Sequence, residues 1–293
     1  MGITVECFGM TDRGQVRRLN EDQFLIADLA KSLEVAQSSL PEGEHRRRFG
    51  VQHGKLLVVA DGMGGVAGGE VASGLAIQTV TNYVLNTMPW FFRVQDGREP
   101  ELEDELKTAL EECQRRVGAA AEQSNLRRMG TTLTMAYILW PRLYVVHAGD
   151  SRCYLFRGGR GHQITRDHTV AQQMVERGIL SPEEAETSRW SHALWNCIGG
   201  GSQEINPDVY KATLQPVDTL LLCTDGLSKY LSTADIAEHL RKHASPEEAT
   251  RSLIDAANAA GGADNITVIV ARLVPAPGVN ETMVELPAAE PAV

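Results

Sequence analysis

The chain has 293 residues, 43% of them hydrophobic, which is ample for a packed core and unlike the composition of a disordered protein. A formal charge of −10 disfavours a nucleic-acid partner, because the surface as a whole repels a polyphosphate backbone. Five scattered cysteines without a C-x-x-C pair, no basic apolar leader and no apolar run of about 18 residues argue against a zinc site, a disulfide framework, a secretory signal and a membrane span.

The expectation from these features is a soluble cytoplasmic protein with reduced, buried thiols. Turn-bounded apolar runs predict strands at 3–8, 23–28 and 55–60. Between the last two, the stretch 31–54, with Pro41-Glu42-Gly43 and Arg46-Arg47-Arg48, reads as an inserted loop whose arginines are solvated. Ala72, Ala76, Val80 and Val84 form one helical stripe, and Leu102, Leu106, Leu110, Cys113 and Val117 form another. The intervening 88–100, with Trp90-Phe91-Phe92, reads as a loop. Strands follow at 131–138, 142–147 and 152–157, then at 209–214, 219–224 and 265–273. Ser181-Pro182-Glu183-Glu184 and Ser245-Pro246-Glu247-Glu248 each offer an N-cap serine, a proline at N1 and a glutamate at N3. Residues 1–274 read as a single domain. The remainder, 275–293, is rich in Pro, Ala and Glu without Lys or Arg and reads as a disordered tail. Runs of adjacent strands interrupted by helix pairs point to antiparallel sheets with helices stacked outside.

Three aspartates share one context. Asp61 ends an apolar run, Asp225 ends another, and Asp264 opens a third. Glycine follows the first two, as Asp61-Gly62 and Asp225-Gly226, which would let the chain turn sharply and expose a carbonyl beside the carboxylate. A single Asp-Gly is more often only a hairpin turn. Several such acids, joined by Glu21, Asp22 and Asp150, would repel one another unless a cation neutralised them. Oxygen donors without a His or Cys cluster favour Mg²⁺ or Mn²⁺, and two such ions about 3.5–4 Å apart suit hydrolysis at phosphorus. Arg17 is a candidate clamp for phosphate, since its planar fork fits two oxygens; a solvated charge run is the plain alternative. His147 reads as a sheet-facing side chain in preference to a ligand.

Taken in order, Thr11-Asp12-Arg13-Gly14, Asn20-Glu21-Asp22, Asp61-Gly62-Met63-Gly64-Gly65, Gly130-Thr131-Thr132, Gly149-Asp150-Ser151-Arg152, Thr224-Asp225-Gly226-Leu227 and Asp264-Asn265-Ile266-Thr267 resemble the type 2C (PPM) metal-dependent protein serine/threonine phosphatases, in their bacterial form. The likeness covers residues 3–273. It implies an α+β fold, a four-layer α-β-β-α sandwich of two antiparallel sheets face to face with helices on both outer faces. It also implies hydrolysis of phosphoserine and phosphothreonine in proteins, opposing a cytoplasmic serine/threonine kinase, by a monomer that carries two divalent cations and a weaker third. By likeness Asp61 would bridge the two ions and Gly62 would lend its carbonyl. Asp225 and Asp264 would complete that site, Glu21 would act through water, Asp22 would order it, Arg17 would bind phosphate, and Asp150 with Asp225 would hold the third cation. Two departures stand out. Met63 occupies a position where some members carry a histidine proposed as general acid, and a thioether transfers no proton. The flap, about 170–206, carries Trp190-Ser191-His192 and Trp195-Asn196-Cys197 in place of an Arg-Asn-rich pattern. His192 is a candidate substrate contact there, a surface or packed histidine being the alternative.

Overall fold

A computed structural model describes residues 3–34, 47–65, 68–86, 99–126, 128–201 and 204–275. In chain order the strands and helices are β1 (Ile3–Asp12), β2 (Asp22–Glu34), β3 (Arg47–Met63), α1 (Gly68–Asn86), α2 (Glu99–Gln123), β4 (Gly130–Thr131), β5 (Leu133–Leu139), β6 (Arg142–Ala148), β7 (Arg152–Arg157) and β8 (Arg160–Gln163). They continue with α3 (Val170–Glu176), α4 (Pro182–Glu186), β9 (Ile198–Gly199), β10 (Asp208–Thr213), β11 (Thr219–Cys223), α5 (Asp225–Ser228), α6 (Thr233–Lys242), α7 (Pro246–Ala259) and β12 (Ile266–Pro275).

Apolar residues alternate between two faces of each central strand, and this alternation builds the layers. One antiparallel sheet runs β1-β12-β11-β7-β8; the other runs β10-β6-β5-β3-β4-β9, with β2 paired to β3. Leu57 and Val59 point inward to meet Leu220, Leu222, Ile269 and Ala271 of the facing sheet. Their neighbours Leu56 and Val58 point outward, against the buried stripes of α1 and α2. Leu221, Cys223, Val268 and Val270 do the same for the first sheet, against Ile236 and Leu240 of α6 and Leu253 and Ile254 of α7. The result is the expected sandwich of helices, two sheets and helices. Among the described residues no helix is long and apolar enough to cross a membrane.

The helix starts follow their caps. Ser181 and Glu184 close a full capping box ahead of α4, while the Ser245 side chain accepts from the Glu247 amide ahead of α7. Ser232 and Asp235 form a second capping box, at α6, that the sequence reading did not single out.

The structure corrects the loop reading of 31–54. β2 continues to Glu34 and β3 begins at Arg47, with Leu33 opposite Arg48 and Glu34 opposite Arg47, so the hairpin arms extend well into that stretch. Ladder pairing across two strands outweighs the local turn chemistry there. Residues 35–46, including Arg46, and 87–98, with the Trp90-Phe91-Phe92 cluster, lie outside the described residues, as do 276–293 of the tail.

Candidate active site

Antiparallel pairing decides which strand ends share an edge. Asp22 opens β2 directly opposite Asp61 on β3. Cys223, the last residue of β11, pairs with Arg152 at the start of β7, which places Asp225 near the turn that carries Asp150. Asp12, the last residue of β1, pairs with Ile266 at the start of β12, so Asp264 lies beside the loop that carries Arg17. Acids from five segments are thus delivered to one edge of the sandwich, and Asp61 feels the charges of Asp22, Asp225, Asp150 and Asp264.

Two local readings need correction. Asp61-Gly62 is not a turn: β3 runs on to Met63, with Gly62 opposite Thr131 of β4. The Asp61 amide donates to Thr132 Oγ1 at 3.0 Å, and its carbonyl accepts from Thr131 Oγ1 and the Thr132 amide, both at 2.9 Å. Gly62 is required by crowding, because a Cβ there would strike the Gly69 carbonyl at the start of α1 and approach the Glu21 carbonyl at 2.6 Å. Asp225-Gly226 likewise begins the helix α5 instead of a hairpin, and a Cβ on Gly226 would strike the Asn265 carbonyl.

Asp22 is buried. Its Oδ2 accepts from Thr224 Oγ1 at 2.8 Å and from Thr267 Oγ1 at 2.7 Å. Burial pushes its pKa up to about 7, against the pull of those two hydroxyls and with the help of Asp225 and Asp264. Asp61 and Asp150 are raised well above the usual carboxylate range, by burial first and then by neighbouring aspartates. Two oxygens in the cluster, Asp22 Oδ1 and Asp225 Oδ1, are buried without a hydrogen-bond partner.

Among the described residues, Arg17 and Lys229 make ion pairs with the cluster's carboxylates. Arg17 forks onto Asp264, with Nε 2.8 Å from Oδ1 and Nη2 2.9 Å from Oδ2. Lys229 Nζ stands 2.5 Å from Asp225 Oδ2 and 3.2 Å from Asp264 Oδ2. Burial works against the ionised form of Asp264, yet Arg17, Lys229 and the Asn265 amide hold its pKa below the usual value. Asn265 also anchors the neighbouring loop. Its Oδ1 accepts from the Glu21 amide at 2.9 Å, and its Nδ2 donates to the Arg13 and Leu19 carbonyls, each at 2.9 Å. Glu21 stands by the N-terminus of α1, where a Cβ on Gly69 would lie 2.6 Å from Glu21 Oε1.

Among the described residues, no three His, Cys, Asp or Glu side chains form a ready metal-holding group; Asp225 and Asp264 are drawn to Lys229 and Arg17 instead. The donor chemistry nevertheless fits hard divalent cations. Every candidate is an oxygen, two of them are orphaned, and burial and then neighbouring carboxylates hold the Asp61 and Asp150 pKa values up. Sequence reasoning had Asp22, Asp61, Asp150, Asp225, Asp264 and Arg17 in this cluster and missed Lys229, Asn265, Thr224 and Thr267 as its supports. Lys229 follows Asp225 by one helical turn, a spacing that was readable; the others depend on partners across the sheet. His192 lies exposed in a turn of the flap. His147 is buried and spends its ring nitrogens on Thr134 and the Arg166 carbonyl, as a structural histidine does.

Helix-covered antiparallel sheets face to face, with acids gathered at one edge, are the architecture of the metal-dependent protein phosphatases. A sequence model of protein phosphatase 2C matches residues 47–260, and the chain belongs to that family. The chain is 38% identical over 223 residues to the serine/threonine protein phosphatase PstP of Mycobacterium tuberculosis, an alignment covering 75% of this chain and 40% of that protein. This chain therefore matches less than half the length of that relative. It is 30% identical over 262 residues to the serine/threonine phosphatase stp of Listeria innocua, covering 89% of this chain and 92% of that one. The solved catalytic domain of PstP in complex with two manganese ions superposes with a TM-score of 0.72 at 33% identity, over 94% of this chain and all of that domain.

Proposed function

We propose that this chain hydrolyses phosphoserine and phosphothreonine in proteins, using a pair of divalent cations held by Asp61, the Gly62 carbonyl, Asp225 and Asp264. The observation that carries the proposal is the convergence of five aspartates on one edge, with Asp22 Oδ1 and Asp225 Oδ1 buried and unpaired, and with Asp22, Asp61 and Asp150 pushed up in pKa by burial and then by neighbouring aspartates. When bound, Mg²⁺ or Mn²⁺ supplies Lewis-acid neutralisation of the phosphate and lowers the pKa of a water. A homologous structure with two manganese ions supports the pair. Asp150 with Asp225 is assigned a third, weaker cation.

The protein's own groups do the rest. Asp61 sits near the end of β3 with its backbone fixed by Thr131 and Thr132, which sets where its side chain enters the cluster. Asp22 stays in place through Thr224 and Thr267 and orders the site, and Glu21 acts through water. Arg17, half exposed on the Asn265-anchored loop, is assigned phosphate binding: its planar fork, which rests on Asp264 in this structure, would turn from that carboxylate to two phosphate oxygens. Met63 holds no proton to give, so protonation of the leaving serine or threonine falls to another donor. The flap, carrying α3, α4 and His192, borders the site and governs access of the phosphoprotein.

In this reading residues 1–274 form one phosphatase domain of a monomeric cytoplasmic protein that opposes a serine/threonine kinase. The test is phosphate release from a phosphothreonine peptide with and without Mn²⁺. Metal-dependent release by the parent is expected, and release that persists in excess EDTA would contradict the proposal.

A further inference from the structure

We propose that Lys229 is a tethered counter-ion which a divalent cation must displace, so that this lysine sets how tightly the site loads its metal. The inference rests on the two-cation reading above. Lys229 follows α5, and its ammonium bridges Asp225 at 2.5 Å and Asp264 at 3.2 Å, two carboxylates which that reading gives to the metals. The partnership is lopsided in a telling way. Asp225 has Oδ2 on the lysine while its Oδ1 is buried with no partner, and Asp264 is already forked by Arg17. One ammonium therefore satisfies only part of the local negative charge, and leaves donor capacity that a dication would use in full.

An ammonium and a hard dication seek the same oxygens and cannot share them at ligand distance. Before loading, Lys229 offsets the repulsion between Asp225 and Asp264, and its charge is also among those that favour ionised Asp150. On loading it must leave. The side chain is 28% exposed, so the ammonium has a direct route into water, and a flexible four-carbon stem makes the exchange inexpensive. An arginine at this position would fork onto the carboxylates and resist release.

The experiment is calorimetric titration of Mn²⁺ into the full chain, its Lys229→Met variant and its Lys229→Gln variant. Removing the competitor is expected to tighten Mn²⁺ binding roughly 5- to 100-fold, while the metal-free variants melt at a lower temperature than the parent in EDTA. A second measurement needs no variant: acetylation of Lys229, followed by mass spectrometry, should be slow in EDTA and faster in saturating Mn²⁺. Unchanged or weakened Mn²⁺ binding in the variants, or Lys229 labelling that ignores Mn²⁺, overturns the proposal. A parent chain that binds no Mn²⁺ contradicts the two-cation reading itself.

Discussion

Two buried polar clusters lie near each other in this protein and obey opposite rules. Behind Asp150, the Gly149 amide donates to His168 Nδ1 at 3.2 Å, the His168 amide donates to the Gly149 carbonyl at 2.7 Å, and His168 Nε2 faces Asp208 Oδ2 at 3.2 Å. Tyr210 Oη donates to the same carboxylate at 2.8 Å, and Asn196 pairs with both His168 and Asn206. Every charge or dipole in this second cluster has a partner of opposite sense. Burial opposes an ionised Asp208, but Tyr210 and His168 hold its pKa below the usual value. The acidic edge has like charges face to face, orphaned oxygens, and pKa values raised at Asp22 and Asp61 by burial and neighbouring aspartates. A fully satisfied network fixes a backbone; an unsatisfied one costs stability and is kept where a ligand will complete it.

The sharpest way to break the comparison is Asp61→Asn. Mn²⁺-dependent phosphate release should fall at least about 100-fold, while the metal-free variant melts above the parent because one repelling charge is gone. A loss of both activity and metal-free stability would place Asp61 among structural groups. Arg17→Lys comes next. Losing the planar fork should lower kcat/KM for a phosphothreonine peptide by roughly 10- to 100-fold, the equivalent of one charge-assisted hydrogen bond. In the satisfied cluster, His168→Ala should act on stability, at about 1–3 kcal/mol for each buried group left unpaired, read as a lowered denaturant midpoint.

The smallest effect is a difference in sign with pH. Asp22, raised to about 7 in the fold from an ordinary 3.8, binds its proton more tightly when folded, so its contribution is largest at low pH and is lost as pH rises towards 7. His147 is pushed down to about 3, chiefly by burial and then by His168, so its neutral form is favoured and its contribution is lost as pH falls below about 6.5 towards 3. In EDTA, Asp22→Asn should flatten the alkaline loss and His147→Gln the acid loss, as followed by thermal melts between pH 4 and 8. Equal effects of both variants at both ends would dissolve the contrast.

Much of the edge was legible because its acids sit in local words, Asp-Gly after an apolar run or Asp before one, that carry their context with them. Helix starts were legible for the same reason, since Ser181 and Ser245 cap within a few residues. What stayed hidden depends on contacts distant in sequence. Thr224 and Thr267 matter because both reach Asp22, and Asn265 because it ties the Glu21 amide to the loop of Arg17. Asp61-Gly62 was misread as a turn because β4 supplies its ladder from far along the chain. The length of β2 and β3 was hidden by Pro41-Glu42-Gly43 and the arginines, whose local preference for a loop ladder pairing overrides in part.

Equilibrium dialysis against Mn²⁺ tests the convergence of these acids most directly. The parent chain should retain two tightly held ions and Asp61→Asn fewer than one, with both proteins folded by circular dichroism. No retained ion in the parent, or equal retention in the two, would mean that these carboxylates do not share a pair of cations.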